Sequence, residues 1–400
     1  MRKKLIPSVL MASVLTFSTV YPAFAAGPGQ TEDPIPDEVT EDQWNRLNDQ
    51  TIEFDELPDL IRYFNPSMKN TSDSINNSLD DMKYINDNMR RQINDLQDDA
   101  DELKDSGAMN TEDGMVEYIT LNMTVKGLKT AADSMSRSLE YMNRSDSSVK
   151  SNITYAAKNY TYYANQIMIG YNSALSNQAM IEKIVELGNA AYEAQVRSRQ
   201  LGLATDADVL SAQKEVLSAK GSLLKINSTI DNLSRSLCMM TGYASDAAPA
   251  IGGLPQLTDE TIAAIDLEAD IQMAVSNNYN LISLRHSTSG KTTTGMKNKD
   301  SSVSEAEQNV VITMQSYYQA MLQAKSAYDA ASTAFEKATL DKEKADRSYQ
   351  LGMLSKIQYL QTEMAYLQAQ GEKNSAYNTY YQAYDTYQWG IQGIIMDSAQ

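Results

Sequence analysis

The sequence predicts an all-α protein, built as two tandem long antiparallel helical hairpins of coiled-coil character. Three observations carry this. Apolar residues recur in heptads along two long tracts. A block of sequence returns at an offset of 150 residues. Strand-like alternation is nearly absent.

The chain opens with Arg2, Lys3 and Lys4, a short apolar stretch to Val20, and Ala23-Phe24-Ala25. A positive start, an apolar middle and a small-x-small end mark residues 1–25 as a signal peptide, with the mature chain starting at Ala26. The competing reading is an N-terminal membrane anchor, for which the apolar run is short against the ~20 residues a span needs. No Cys follows the cleavage site to carry a lipid. Of 34 basic and 52 acidic residues the signal takes three basic ones, so the mature chain has a net charge of −21. Such a chain repels nucleic acid and anionic membrane surfaces. One Cys, Cys238, rules out an internal disulfide, and one His, His286, argues against a His-based triad or a multi-His metal site. Tyr outnumbers Phe 24 to 5, which points to half-wet helix interfaces instead of one deep dry core.

Residues 26–58, with Gly27, Pro28, Gly29, Pro34, Pro36 and several acids, read as a flexible N-terminal arm. The first helical repeat spans 59–243. Asn65-Pro66 opens its first helix, with Pro near the first helical position, and a polar helix runs to about Lys104. An extra helical insertion occupies about 95–145, broken at Ser106–Gly114. Within it, Val116–Lys126 alternates like a strand but also fits a helix through Tyr118, Leu121, Val125 and Leu128, which is the preferred reading. Residues 244–270, with Pro249, Gly252, Gly253 and Pro255, form a linker, and the second helical repeat covers 271–396. A short helix holds Ile271, Ala274 and Asn278. A polar stretch, Ser287–Ser302, then interrupts the chain before a long helix.

That helix carries Met314, Met321, Tyr328, Phe335 and Tyr349 at heptad spacing, with Lys342 the one polar member. The companion positions are Tyr317, Ala324, Ala331, Ala338 and Ala345. A second series, Val209, Val216, Leu223, Ile230 and Leu237 with Ala212, Ala219, Ile226 and Leu233, has no exception. A helix from about Ser302 to Gln350 is about 70 Å long at 1.5 Å per residue, the scale of a rod, a bundle or a helical tube.

The internal repeat centres on Arg-Ser-x-Gln-Leu-Gly at 197–202 and 347–352. In each copy a helix runs up to the Gly, which suits a left-handed C-terminal residue. Thr205 and Ser355 then stand as N-caps of a returning helix. Heptad bias alone explains the paired Leu and Ala, not Gln-Leu-Gly at both turns.

These residues resemble the TolC-like outer-membrane efflux proteins. The carrying stretches are Arg-Ser-Arg-Gln-Leu-Gly-Leu-Ala-Thr-Asp-Ala-Asp-Val-Leu-Ser-Ala-Gln (197–213) and Arg-Ser-Tyr-Gln-Leu-Gly-Met-Leu-Ser-Lys-Ile-Gln-Tyr-Leu-Gln-Thr-Glu (347–363), with Asn65-Pro66 similar to the family's helix start. The resemblance implies a homotrimer whose helices close into a tube. It implies an adaptor (membrane-fusion) protein docked at the mouth and an inner-membrane export pump behind it. The docking tips would be Gln200, Leu201, Gly202, Leu203, Thr205 and Asp208, with Gln350, Leu351, Gly352, Met353, Ser355 and Gln358. A constriction would involve Asp208, Gln358 and Gln361, where two glutamines stand in place of the family's acids. The preferred reading of Asp208 by itself is a solvated first-turn acid favoured by the helix dipole. Small residues such as Ala212, Ala219, Ala324 and Ala331 would let neighbouring helices approach closely. The family's membrane strands have almost no counterpart, which implies a version with little or no β-barrel in the cell envelope.

No Cys-x-x-Cys, His-Glu-x-x-His, Walker or Gly-x-Ser-x-Gly motif occurs, and no cofactor or enzyme activity is expected. Asp98-Asp99-Ala100-Asp101-Glu102 lacks the Gly and spacing of a calcium loop. The competing function class is an exported coiled-coil structural or interaction protein without a conduit.

Overall fold

The computed structural model describes residues 28, 35–36, 38–107, 111–144, 147–244, 247–289 and 292–395. The expected signal peptide, residues 1–25, lies outside the described residues. Four long helices dominate: α5 (Ser148–Gln200), α6 (Asp206–Thr241), α10 (Thr293–Gln350) and α11 (Lys356–Ile391). α5 packs along α6, and α10 along α11, as two antiparallel hairpins. Every position of the two heptad series is buried or half-buried, so both seams lie where the spacing puts them. Lys342 stays at its seam position because its ammonium pairs with Asp346 at 2.9 Å. The repeat is also one of structure: α5 and α10 end at Gln200 and Gln350, and α6 and α11 have the same 36-residue length. Among the described residues no helix is long and apolar enough to cross a membrane.

The repeats join where α11 lies against α5. Gly371 rests on the Met180 side chain, a place with no room for a Cβ. Asp385 accepts hydrogen bonds from Asn165 (2.8 Å) and Gln166 (3.1 Å). A flat glycine face brings the helices close, and the polar trio fixes their register. Burial without a counter-charge pushes the Asp385 carboxyl up to about 6.

α2 (Leu57–Phe64) leads into α3 (Pro66–Asp105) through Asn65, whose side chain caps α3 and whose Nδ2 donates to Met240 O at 2.8 Å. The second repeat repeats this joint. α8 (Leu267–Asn277) meets α9 (Tyr279–His286) at Asn278, which caps α9 and donates to Gly393 O at 3.4 Å. Each joint is closed by a left-handed glycine, Gly242 (φ 83°) or Gly393 (φ 88°). A Cβ on either would strike backbone, at Phe64 O and Asn277 O respectively.

A third helical hairpin is α3 with α4 (Glu112–Asn143); the insertion expected at about 95–145 takes in only the end of α3 together with α4. Tyr118, Leu121, Val125 and Leu128 lie on its inner seam, where Val125 and Ala132 pack on Ile93. Val116–Lys126 is therefore helix, not strand.

Three sequence expectations are corrected. Part of the expected flexible arm is folded: Thr40 closes a capping box on α1 (Glu41–Leu47), β1 (Thr51–Ile52) follows, and Phe54–Glu56 makes a 3-10 turn. Leu47, Ile52 and Leu57 are buried against α2, α5 and α6, and these scattered apolar residues outweigh the Pro and Gly that suggested an arm. Arg46 holds the segment with Glu53 (2.7 Å) and the buried Glu56 (2.9 Å), whose carboxyl burial pushes up. The linker contributes β2 (Ala250–Ile251), paired in parallel with β1, and α7 (Asp259–Ala263). Lastly, α10 begins at Thr293, inside the expected polar interruption. Lys299 Nζ donates to Arg285 O (2.6 Å) and Ser287 O (2.7 Å), so this polar stretch covers the carbonyls that end α9.

Candidate functional site: the paired hairpin tips and the helix faces behind them

Each long hairpin turns through the same backbone. At the first tip Gly202 takes φ 74°, its N–H donates to Arg199 O (2.9 Å), and Leu203 N donates to Ser198 O (2.8 Å). At the second, Gly352 takes φ 73°, and Met353 N donates to Ser348 O (2.8 Å). This double closure satisfies the last carbonyls of the incoming helix. The outgoing helix is started by a capping box in both cases. Thr205 N donates to Asp208 Oδ2 (2.8 Å) while Asp208 N donates to Thr205 Oγ1 (3.2 Å). Ser355 and Gln358 make the same exchange at 3.1 and 3.3 Å.

The tight turn leaves two large apolar side chains in water at each tip. Leu201 and Leu203 are 74% and 79% exposed, and Leu351 and Met353 are 71% and 76% exposed. Gln200 and Gln350 close α5 and α10 beside them. The structure thus brings the two sets of tip residues into matching places on two equivalent turns.

Of the three residues expected at a constriction, Asp208 and Gln358 have local partners. Asp208 is engaged in its capping box, and hydrogen bonds from the Thr205 N–H and hydroxyl hold its carboxyl below the usual carboxylate range. Gln358 does the same work at the second tip. Gln358 and Gln361 line an open groove with Asp341, Lys344 and Tyr366 on the flank of the second hairpin. Elsewhere, His286 is exposed at the end of α9 and Cys238 is buried. The acidic run at 98–102 is a stretch of α3, and no group of three or more metal-ligating side chains forms among the described residues.

Two features escaped the sequence reading. The first is the latch across each turn. Arg199 pairs with Asp206 at the first tip. At the second, Tyr349 and Tyr359 stack at 4.5 Å and the Lys356 ammonium lies 5.4 and 5.3 Å from their ring centres. The Tyr359 hydroxyl also bonds Asp346, and burial plus that carboxylate pushes it up to about 12. The second is a bare leucine stripe on α6, Leu210, Leu217 and Leu224, at 60–72% exposure. It follows the Val209 series one residue behind, so the signal was present in the spacing.

The stripe acquires meaning from the repeat. Shifted by 150 residues, Leu210, Leu217 and Gly221 correspond to Leu360, Leu367 and Gly371 on α11. Leu360 is buried and Leu367 half-buried, on the face that α11 turns to α5. The α5 side of that seam, Asn165, Gln166 and Met180, corresponds to Gln315, Ser316 and Ala330 on α10, all exposed. The chain therefore uses the inter-repeat seam once, and both halves of its counterpart are uncovered.

Fold and tips together define an all-α protein of two tandem helical hairpins, similar in shape to solved outer-membrane channels. Among them are the CmeC outer membrane channel of Campylobacter jejuni (TM-score 0.41, 14% identity, 70% of this chain and 69% of that one) and the outer membrane protein VceC of Vibrio cholerae (0.43, 13%, 66% and 76%). The outer-membrane channel OprN covers 94% of this chain and 98% of its own, at TM-score 0.48 and 10% identity. These are likenesses of helical shape, with TM-scores below 0.5. No protein-family model matches the chain. No curated protein matches it either.

Proposed function

We propose that the chain is one protomer of a TolC-like helical conduit in an export system of the cell envelope. Copies close into a ring, three by the family resemblance, through α6 of one protomer and α10 of the next. The tips form the mouth, where Leu201, Leu203, Leu351 and Met353 dock an adaptor protein linked to an inner-membrane export pump.

The observation that carries this reading is the unused seam. The α5–α11 contact and the bare α6 and α10 faces are related by the internal repeat, so a rotation of one protomer lays α10 of one copy on α6 of the next. Such a head-to-tail contact closes into a ring when the rotation allows. Exposed leucines at heptad spacing on a soluble helix are costly to leave in water, each worth roughly 1.5–3 kcal/mol when covered.

The register gives the test. Gly371 faces Met180, so Gly221 should face Ala330 of the neighbouring copy. In a Cys238→Ser background, Gly221→Cys with Ala330→Cys is expected to give inter-chain disulfides that end in a closed ring. A chain that stays monomeric by light scattering at all concentrations, with no such cross-link, overturns the reading. At the mouth, Leu201→Asp with Leu351→Asp should abolish adaptor co-purification while leaving the ring cross-link intact.

A further inference from the structure

A cleft of about 700 Å³ lies where the joint of α2 and α3 meets the start of α5. Its floor is apolar. Met68 is buried in the core around α2, and Tyr63, Ile153 and Ala157 pack against that core. Two cations reach the cleft, Arg62 from α2 and Lys150 from α5. The Lys150 ammonium donates to Asn143 O at 2.8 Å. The Arg62 guanidinium donates to Glu38 at 2.5 Å, and both side chains of that pair are more than half exposed, at 56% and 69%. Such a pair contributes little and is screened by salt. One carboxylate of the chain thus already sits at the cleft, and it is held weakly.

The second repeat has the same place with different chemistry. Asn65 matches Asn278, and α5 matches α10 at an offset of 150, so Arg62, Ser72, Lys150 and Ala157 match Val275, Arg285, Asp300 and Glu307. There Arg285 and Glu307 line the groove and pair with each other at 2.8 Å. The first repeat has a hydroxymethyl and a methyl where that ion pair stands, and cations where the second has Val275 and Asp300. We propose that the first cleft binds an aliphatic carboxylate, with its head on Arg62 and Lys150 and its chain on Met68, Ile153 and Ala157. An apolar floor with a few charged groups suits a ligand of one head and one chain. A planar guanidinium matches a carboxylate, and Glu38 makes that contact from the chain itself. The ligand's head takes the place of Glu38, one exposed contact for another, and burial of the aliphatic chain is the gain. A free carboxylate and one carried by a membrane lipid offer the same head and chain. All residues of the site come from one copy, so it stands apart from the ring proposed above.

Calorimetric titration of the mature chain with sodium octanoate tests the site. Saturable binding is expected, with sodium acetate (the head alone) and 1-octanol (the chain without the charge) each at least tenfold weaker. Arg62→Gln should weaken octanoate at least tenfold, and Glu38→Gln, which removes the competing carboxylate, should tighten it. Ser72→Arg with Ala157→Glu installs the second repeat's ion pair in the cleft and should abolish binding while Tm is kept. Octanoate that binds the parent, Arg62→Gln and the filled variant alike overturns the proposal, and so does octanol that binds as tightly as octanoate. Flotation with phosphatidylcholine vesicles containing oleate, lost in the filled variant, supports the site with a lipid as the source. Octanoate binding without such flotation supports it with a free carboxylate as the source. Failure of both octanoate binding and flotation overturns it.

Discussion

The two tips share a backbone and differ in how it is latched. At the first, Arg199 and Asp206 face each other across the turn; at the second the same two positions hold Tyr349 and Lys356. An exposed ion pair has become a cation lying on stacked rings. The left-handed glycine and the capping box are common to both. The turn is thus set by backbone chemistry, and the side chains across it are free to diverge. What both tips keep besides the turn is the pair of exposed apolar residues, and those are the residues that the docking proposal uses. The same contrast holds for whole repeats. Both have the Asn joint and its glycine, but the first extends from it into the 40-residue α3 and the second into the eight-residue α9.

The sharpest break of this comparison lies at the glycines, which are alike in φ and unlike in surroundings. Gly242→Ala and Gly393→Ala place a methyl against backbone at a left-handed position. Strain and overpacking together should cost about 2–5 kcal/mol, read as a large fall in Tm. Gly202→Ala and Gly352→Ala meet open space and carry only the left-handed strain, about 1–2 kcal/mol. Equal losses at all four sites would mean that the joints are not clasped as described.

A second test compares the covered seam with its bare counterpart. Asp385 is buried between α11 and α5, with Asn165, Gln166 and Trp389 as partners and the hydroxyls of Tyr162, Tyr381 and Tyr384 nearby. Its repeat-mate on α6 is the exposed Arg235. Folding raises the Asp385 pKa from 3.8 to about 6, so the folded state holds its proton more tightly than the unfolded chain. The stability this confers is complete below pH ~4 and lost as pH rises through about 6, on the order of 1–3 kcal/mol. Asp385→Asn should therefore be more stable than the parent at pH 7.5 and lose that advantage at pH 4. Arg235→Gln should show no such pH-dependent difference. A parent-minus-variant difference for Asp385→Asn that is flat with pH would show that the carboxylate is ionised in the seam without penalty.

The long hairpins were legible because heptad spacing and a tight Gly turn are local signals, and Val209 to Leu237 or Met314 to Tyr349 needs no distant partner to be read. The segment at 41–57 was not, because Leu47 and Ile52 become core only through α2, α5 and α6, and β1 exists only as the mate of β2, about 200 residues away. Its Pro and Gly are local signals, and they pointed elsewhere. The tips were read correctly as turns with caps, since Gln-Leu-Gly and Thr205 or Ser355 act within four or five residues. The latch of Tyr349, Lys356 and Tyr359 was missed because it joins two helices across the turn. The bare stripe was missed because Leu210, Leu217 and Leu224 count as ordinary helix residues until the covered Leu360 shows what their face is for.

The smallest expected effect is the most direct probe of the two latches. Arg199 and Asp206 are both mostly exposed, so their pair is worth at most ~1 kcal/mol and is screened by salt. Arg199→Ala should lower Tm slightly in dilute buffer and not at all in about 1 M salt, where the Debye length is ~3 Å. Lys356 lies over rings, and part of its stabilisation is the contact of its alkyl stem with them. Lys356→Ala should therefore keep most of its effect, about 0.5–1 kcal/mol, at both salt concentrations. Thermal melts of the two variants at low and high salt decide the matter. If both effects vanish together in salt, the second latch is electrostatic like the first, and the tips differ in composition but not in kind. If only the first vanishes, the first tip is the one whose grip depends on ionic strength.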